Sequence, residues 1–252
     1  MAHSLQTLLD APIIELDCID STNNYAMRLI DADTAQAGLT IVATEQTQGK
    51  GQRGRQWKDT PGESLLTSII CCPQCSLDEQ FVFNAAVAVA IAEVLNELYE
   101  GWNVRIKWPN DIVINDRKAG GILIENVLRG NHWSFSIIGL GLNIAQTEFP
   151  AELPFATSLK LASGKDFSVK HIFERLRKNV LSKVGASLNG DVVMKDYNDY
   201  LYRKDCDQKF TDGSQEWPAT IRSTGSNGML QVELADGRTL HYNHGVAHWK
   251  WE

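Results

Sequence analysis

Two short segments hold most of the side chains that could do chemistry. In Gly49-Lys50-Gly51-Gln52-Arg53-Gly54, continued by Arg55-Gln56-Trp57, cations alternate with glycines. Glycine lets the backbone approach a ligand closely, so such a loop can present both N–H groups and positive charge to an anion. Trp57 adds a flat face suited to a purine ring. The spacing matches G-x-G-x-x-G, but Pro61-Gly62 forbids the helix that a dinucleotide fingerprint must open. No Gly-Lys-Ser/Thr triplet supplies a Walker loop either. The plain alternative is a solvated surface loop with one buried tryptophan.

The second segment is Lys107-Trp108-Pro109-Asn110-Asp111, a cation, an amide and a carboxylate around a proline that interrupts a strand. Asn110 and Asp111 are hard oxygen ligands suited to a magnesium ion carried in by a nucleotide. Lys118 follows, leading into Ala119-Gly120-Gly121-Ile122-Leu123. Lysine is rarely buried without a partner, so a lysine entering an apolar, glycine-containing strand points to a site. The alternative is an ordinary turn lysine after Asp116-Arg117.

The elements that must position these residues follow from periodicity. Pro12–Cys18 alternates as a strand; capping types at Asp20–Asn24 precede a helix over Tyr25–Asp31. Gly38–Thr44 and Ser64–Cys72 read as buried strands around a long polar loop, Gln46–Gly62. Phe81–Tyr99 is apolar nearly all round and predicts a buried helix. Val104–Asn115 gives two strand pieces around a kink at Pro109. Ala119–Val127 and His132–Ile144 pair through Arg129-Gly130-Asn131. Helices follow at Ser168–Lys183 and Asp191–Tyr202. After Arg203 short strands separated by Asp212-Gly213, Asn227-Gly228 and Asp236-Gly237 predict a small all-β barrel. The boundary is expected between residues 203 and 204.

Composition narrows the function classes. The 252 residues are 43% hydrophobic and 22% charged, which suits a folded chain, and the net charge of −7 disfavours sequence-independent DNA binding. No apolar run is read as approaching the ~20 residues of a membrane span, and the first residues lack a secretory pattern. Five unevenly spaced cysteines make no disulfide framework, so a reduced, cytoplasmic protein is expected. Cys71-Cys72-Pro73-Gln74-Cys75 has no second ligand pair for zinc. His241, His244 and His248, beside Trp249 and Trp251, read as packing residues of the tail.

Together these segments resemble biotin protein ligases. The resemblance runs from about residue 15 to 160 and rests on Gln46–Trp57, Lys107–Asp111, Lys118–Leu123, Asp20-Ser21-Thr22-Asn23 and Gly139-Leu140-Gly141-Leu142-Asn143-Ile144. It implies an α+β fold: a catalytic domain (1–203) like that of class II aminoacyl-tRNA synthetases, a mixed sheet with flanking helices, and a small SH3-like C-terminal domain (204–252). It implies ATP- and Mg²⁺-dependent activation of biotin to biotinyl-5′-AMP, then transfer to a lysine of an apo biotin carboxyl carrier protein.

Carried over by position, Ser21, Thr22, Asn23, Gln46, Gly139 and Gly141 would receive biotin. Lys50, Gly51 and Gln52 would line the loop that closes on it. Lys118 would contact the carboxylate or acyl phosphate. Lys118, Lys50 and Arg53 would be the catalytic cations. Arg53, Arg55, Trp57, Asn110, Asp111 and Asn143 would serve the nucleotide, Asp111 also the magnesium. Some members have arginine where Lys50 and Gln52 stand, so this loop has one cation fewer. Others begin with a DNA-binding helix-turn-helix, which is not expected here, and a homodimer through a sheet edge fits the fold. A lipoate ligase would share the chemistry but take an apolar acid, whereas Ser21-Thr22-Asn23 and Gln46 suit a polar ring. A non-catalytic nucleotide- or nucleic-acid-binding module is the remaining rival, disfavoured by the acidic charge.

Overall fold

The computed structural model describes residues 4–130, 132–246 and 248–249. Its elements in chain order are α1 (Leu5–Leu9), β1 (Ile13–Ile19), α2 (Thr22–Asp31), β2 (Thr40–Gln46), β3 (Ser64–Cys71), α3 (Gln80–Leu98), β4 (Val104–Lys107) and β5 (Asp111–Ile114). There follow β6 (Arg117–Arg129), β7 (His132–Asn143), α4 (Leu159–Ser163), α5 (Val169–Val184), α6 (Gly190–Asp199), β8 (Asp207–Thr211), β9 (Glu216–Thr224), β10 (Leu230–Glu233), β11 (Thr239–Tyr242) and β12 (His248–Trp249).

A seven-stranded sheet in the order β1-β2-β3-β7-β6-β5-β4 forms the frame, parallel between β1 and β2 and antiparallel elsewhere. Every residue of β3 is buried because both faces of the sheet are covered. On one face Ala26 and Ile30 of α2 meet Ile41, Ile70 and Ile137. On the other, α3 and α5 pack over the larger core. The second sheet, β11-β10-β9-β8-β12, is the antiparallel SH3-like unit. The α+β architecture read from the sequence is the observed one.

α3 contains neither glycine nor proline, and the turn before it carries a capping box in which Ser76 and Glu79 satisfy each other's groups. The expectation about apolar runs is corrected here: Leu77–Leu98 is long and apolar enough to cross a membrane by length and composition. In the fold it is the central core helix, with Phe83, Val87, Ile91 and Leu95 all buried.

Arg177 of α5 is buried and gathers loose backbone ends. Its guanidinium donates to the carbonyls of Leu8, Leu9, Ala11 and Gly38 and to Thr40 Oγ1 at 2.9–3.2 Å. It thereby ties α1 and the entry to β2 onto the helical layer. The short helices α1 and α4 were not read from the sequence. Asn131 and Trp251 lie outside the described residues.

Two local expectations are refined and a third is met. α2 begins at Thr22 rather than Tyr25, with Ser21 in the N-cap position but making no side-chain cap bond. The kink at Pro109 is a full reversal: Lys107 pairs with Asp111 across a tight hairpin. The turn glycines Gly213, Gly228 and Gly237 all have positive φ, as the hairpin reading of the tail requires.

Candidate active site

A cavity of about 470 Å³ opens over β3, β7 and β6, under the glycine-rich loop. Every residue expected at the site lines it: Ser21, Thr22, Asn23 and Gln46; Lys50, Gly51, Gln52, Arg53, Arg55 and Trp57; Asn110, Asp111 and Lys118; Gly139, Gly141 and Asn143.

One end is lined mainly by uncharged polar side chains, with the paired Lys50 beside them. The helix start brings Thr22 against Gln46, whose Oε1 accepts from Thr22 N (2.8 Å) and Thr22 Oγ1 (3.1 Å). Ser68 of β3 donates to Asn23 Oδ1 at 2.6 Å, and Thr22 Oγ1 lies 2.7 Å from the same hydroxyl. Asn23 Nδ2 donates to Glu125 Oε2 at 2.7 Å, and Glu125 Oε1 meets Lys50 Nζ at 3.3 Å. This chain fixes which way each amide points and ties the loop to β6. Neither Ser68 nor Glu125 was singled out from the sequence, because one polar residue on a strand looks like any outward-facing position.

The loop is less featureless than its composition implied. Trp57 N donates to Gly49 O (2.9 Å) and Gly51 N to Arg55 O (2.7 Å), so it folds back as a narrow hairpin around a 3₁₀ turn at Gln52–Gly54. The fold-back lays the Trp57 ring onto β7. A Cβ at Gly141 would lie 2.6 Å from ring atom Cε2, and one at Gly139 would overlap the Asn23 amide. The two glycines thus make room for residues of the site. Gly120 has a third use: a side chain there would press on Gly141 O at 2.9 Å.

The other end is charged. Lys118 Nζ pairs with Asp111 Oδ1 at 2.7 Å, both partly exposed to the cavity. The amine therefore has a carboxylate partner within the site. Lys107 also lines the cavity, with Nζ 4.1 Å from the centroid of the Trp249 ring. Burial pushes its pKa down to about 8, opposed by the Asp111 carboxylate and reinforced by the charges of Lys118 and Arg55. The hairpin carrying these groups is gripped from two sides. Tyr197 of α6 donates to Pro109 O (3.0 Å), and Trp108 Nε1 to Gly228 O of the C-terminal unit (3.0 Å).

Asn110 Nδ2 donates to Ile122 O, which clips the turn onto β6. Asn143 donates to Thr157 O at 2.9 Å. Arg53 has φ +55° and donates to His244 O, so the loop touches the C-terminal unit. His244 packs edge-on against Trp108 at 5.5 Å, which is the packing role expected of it, and it also lines the cavity. The segment Phe149–Ala156 completes the wall, held by Lys118 N to Phe155 O (2.7 Å). Among the described residues no three His, Cys, Asp or Glu side chains converge as a metal cage. Asp111 supplies a single carboxylate, which suits a magnesium whose other ligands come with phosphates and water.

The model of the Biotin/lipoate A/B protein ligase family matches residues 15–143. The chain belongs to this family. The family segment carries nearly all of the cavity floor. Among relatives, the Bifunctional ligase/repressor BirA of Bacillus subtilis is 36% identical over 156 residues, covering 61% of this chain and 47% of that protein. The Biotin--protein ligase of Homo sapiens is 35% identical over 235 residues, covering 85% of this chain and 31% of that one. The chain therefore spans about half or less of the length of these relatives. A solved structure titled Biotin protein ligase from Aquifex aeolicus in complex with biotin and ATP superposes with TM-score 0.77 at 23% identity, covering 95% of this chain and 99% of that one. That likeness confirms the fold.

Proposed function

We propose that this chain is an ATP-dependent biotin protein ligase, with residues 1–203 as the catalytic unit, 204–252 as its companion and a biotin carboxyl carrier domain as acceptor. The observation that carries the reading is the pairing of two unlike ends in one cavity. An oriented array of uncharged donors and acceptors (Thr22, Asn23, Gln46), held in place by the buried Ser68, faces a cluster of cations around Asp111. A ureido ring needs the first and two anionic reactants need the second.

Biotin's carboxylate oxygen attacks the α-phosphorus of ATP; the bond to the β-phosphate oxygen breaks and pyrophosphate leaves. Lys118 and Lys107 offset the repulsion between the reactants, and Trp57 offers its ring to the adenine. Asp111 keeps Lys118 oriented and would share a magnesium ion, which when bound supplies charge neutralisation on the phosphates. In the second step a neutral lysine amine bonds to the acyl carbon, AMP departs with the C–O bonding pair, and the amine proton passes to water. The hairpin loop over the cavity would shield the acyl adenylate from hydrolysis. The five free cysteines fit a reducing, cytoplasmic setting, and the large sheet has two outermost strands, β1 and β4, either of which would offer the edge for a homodimer.

The test is incubation with labelled biotin, ATP, Mg²⁺ and an apo carrier domain, with lipoate as competing acid. Biotin-dependent pyrophosphate release and labelled carrier support the proposal; turnover with lipoate alone would make it a lipoate ligase. Lys118→Ala is expected to lower biotin-dependent ATP–pyrophosphate exchange by about 10²–10³-fold, the usual cost of removing one preorganised donor. Normal exchange by a folded Lys118→Ala would overturn the assignment of that amine.

A further inference from the structure

A second cavity, of about 360 Å³, lies behind the Pro109–Asn110 turn. Its walls are the start of α3 with the turn before it, the β9–β10 turn at Asn227-Gly228, and the underside of β6. It borders the ligand cavity, for Gln52, Pro109, Asn110, Ile122 and His244 line both. We propose that this cavity is the entry path of the acceptor lysine, a single primary ammonium on an aliphatic stem projecting from a folded protein. The proposal rests on the ligase reading above.

The two cavities differ in charge. The ligand cavity is lined by six cations, Lys50, Arg53, Arg55, Lys58, Lys107 and Lys118, against two carboxylates, Asp111 and Glu152, an excess that attracts the anionic reactants and repels an incoming ammonium. Among the described residues no lysine or arginine lines the second cavity, and Asp78 is its carboxylate. Asn84 of α3 also lines this cavity, and its Oδ1 is buried without a hydrogen-bond partner. A buried carbonyl oxygen left unpaired costs about 1–3 kcal/mol, and a turn of the amide toward the cavity would let a visiting N–H donor relieve that cost. Phe81, Ile122 and Ile124 offer apolar surface along the same path, suited to the methylene stem of a lysine. The stem would therefore lie between apolar walls while its charged head passes from Asp78 to Asn84 and then gives one proton to water, leaving the neutral amine that attacks the acyl carbon. Anions and the amine then reach the reacting carbon from different sides.

The test uses the full chain with biotin, ATP, Mg²⁺ and an apo biotin carboxyl carrier domain, comparing Asn84→Leu and Asp78→Lys with the parent. Both variants are expected to keep biotin-dependent ATP–pyrophosphate exchange within twofold. Both should keep biotinyl hydroxamate formation with hydroxylamine, a nucleophile small enough to need no groove. Carrier labelling should fall at least tenfold, through a raised KM for the carrier. Asp78 is on an exposed turn, so its variant serves even if Asn84→Leu fails to fold. Carrier labelling at the parent rate by the folded variants would overturn the proposal. A parent that shows no biotin-dependent exchange would instead remove the ligase reading on which it stands.

Discussion

Gly141 gives the sharpest test of how the cavity is divided. Its φ is not positive, so alanine fits the backbone, yet the new methyl would lie 2.6 Å from Cε2, 2.8 Å from Cδ2 and 2.9 Å from Cζ2 of Trp57. Ordinary contact begins near 3.4 Å, so the ring must withdraw by about 0.8 Å. Overpacking in a core costs about 1–3 kcal/mol. Here the ring sits on a loop that can yield, so the stability loss should stay near the lower limit. The larger effect falls on the ring's use as a platform. Base–aromatic stacking is worth about 1–3 kcal/mol; losing half of it is about 1 kcal/mol, or a five- to tenfold rise in KM for ATP. KM for biotin should change less than twofold. Gly139→Ala, two residues away on the same strand, displaces the Asn23 amide instead and should raise KM for biotin while sparing ATP. Initial rates of ATP–pyrophosphate exchange with each substrate varied give all four constants. If Gly141→Ala raises both constants alike, or neither, the assignment of Trp57 to the nucleotide end fails.

Three further outcomes are expected. Because burial holds Lys107 near pKa 8, its charge is present below that pH and lost above it. kcat/KM for ATP should therefore fall between pH 7 and 9, and Lys107→Arg should flatten the decline in a pH–rate profile. Asp59 is raised to about 6 by burial and then by Glu45. The native state thus holds a proton that the unfolded chain has released, and stability drops as pH rises from about 4 to 6. Screening at this half-buried carboxyl reduces the cost at pH 7 to about 1 kcal/mol. Asp59→Asn should then raise Tm by about 3 °C at pH 7 but not at pH 4, read by thermal unfolding. Arg177→Met should destabilise by about 3–5 kcal/mol in urea unfolding, since it strands the carbonyls of Leu8, Leu9, Ala11 and Gly38.

What the sequence revealed depended on how local each signal was. The glycine-rich loop, the Lys107–Asp111 turn and Lys118 were legible because their residue types break the patterns around them. Turn pairs such as Asn227-Gly228 announced their hairpins through the φ that only a few residues tolerate. The Phe149–Ala156 wall has no periodicity to read. Glu125 and Ser68 acquire meaning only when β6 and β3 flank β7. Lys107 was noticed as part of a motif, but its burial depends on Trp249, more than a hundred residues away. Gly139 and Gly141 were correctly expected at the cavity, whereas their use as clearance for Asn23 and Trp57 required the folded geometry.

The central helix also has a bearing on how the chain is made. α3 is complete at Leu98, but α5, the element that packs most extensively against it, ends only at Val184. At about 5–20 residues per second, a ribosome leaves this greasy rod uncovered for several seconds. During that interval it resembles cargo for the secretion machinery. Holdase chaperones, or slow codons placed after α5 rather than before it, would decide how much of the newborn chain escapes misrouting and clumping.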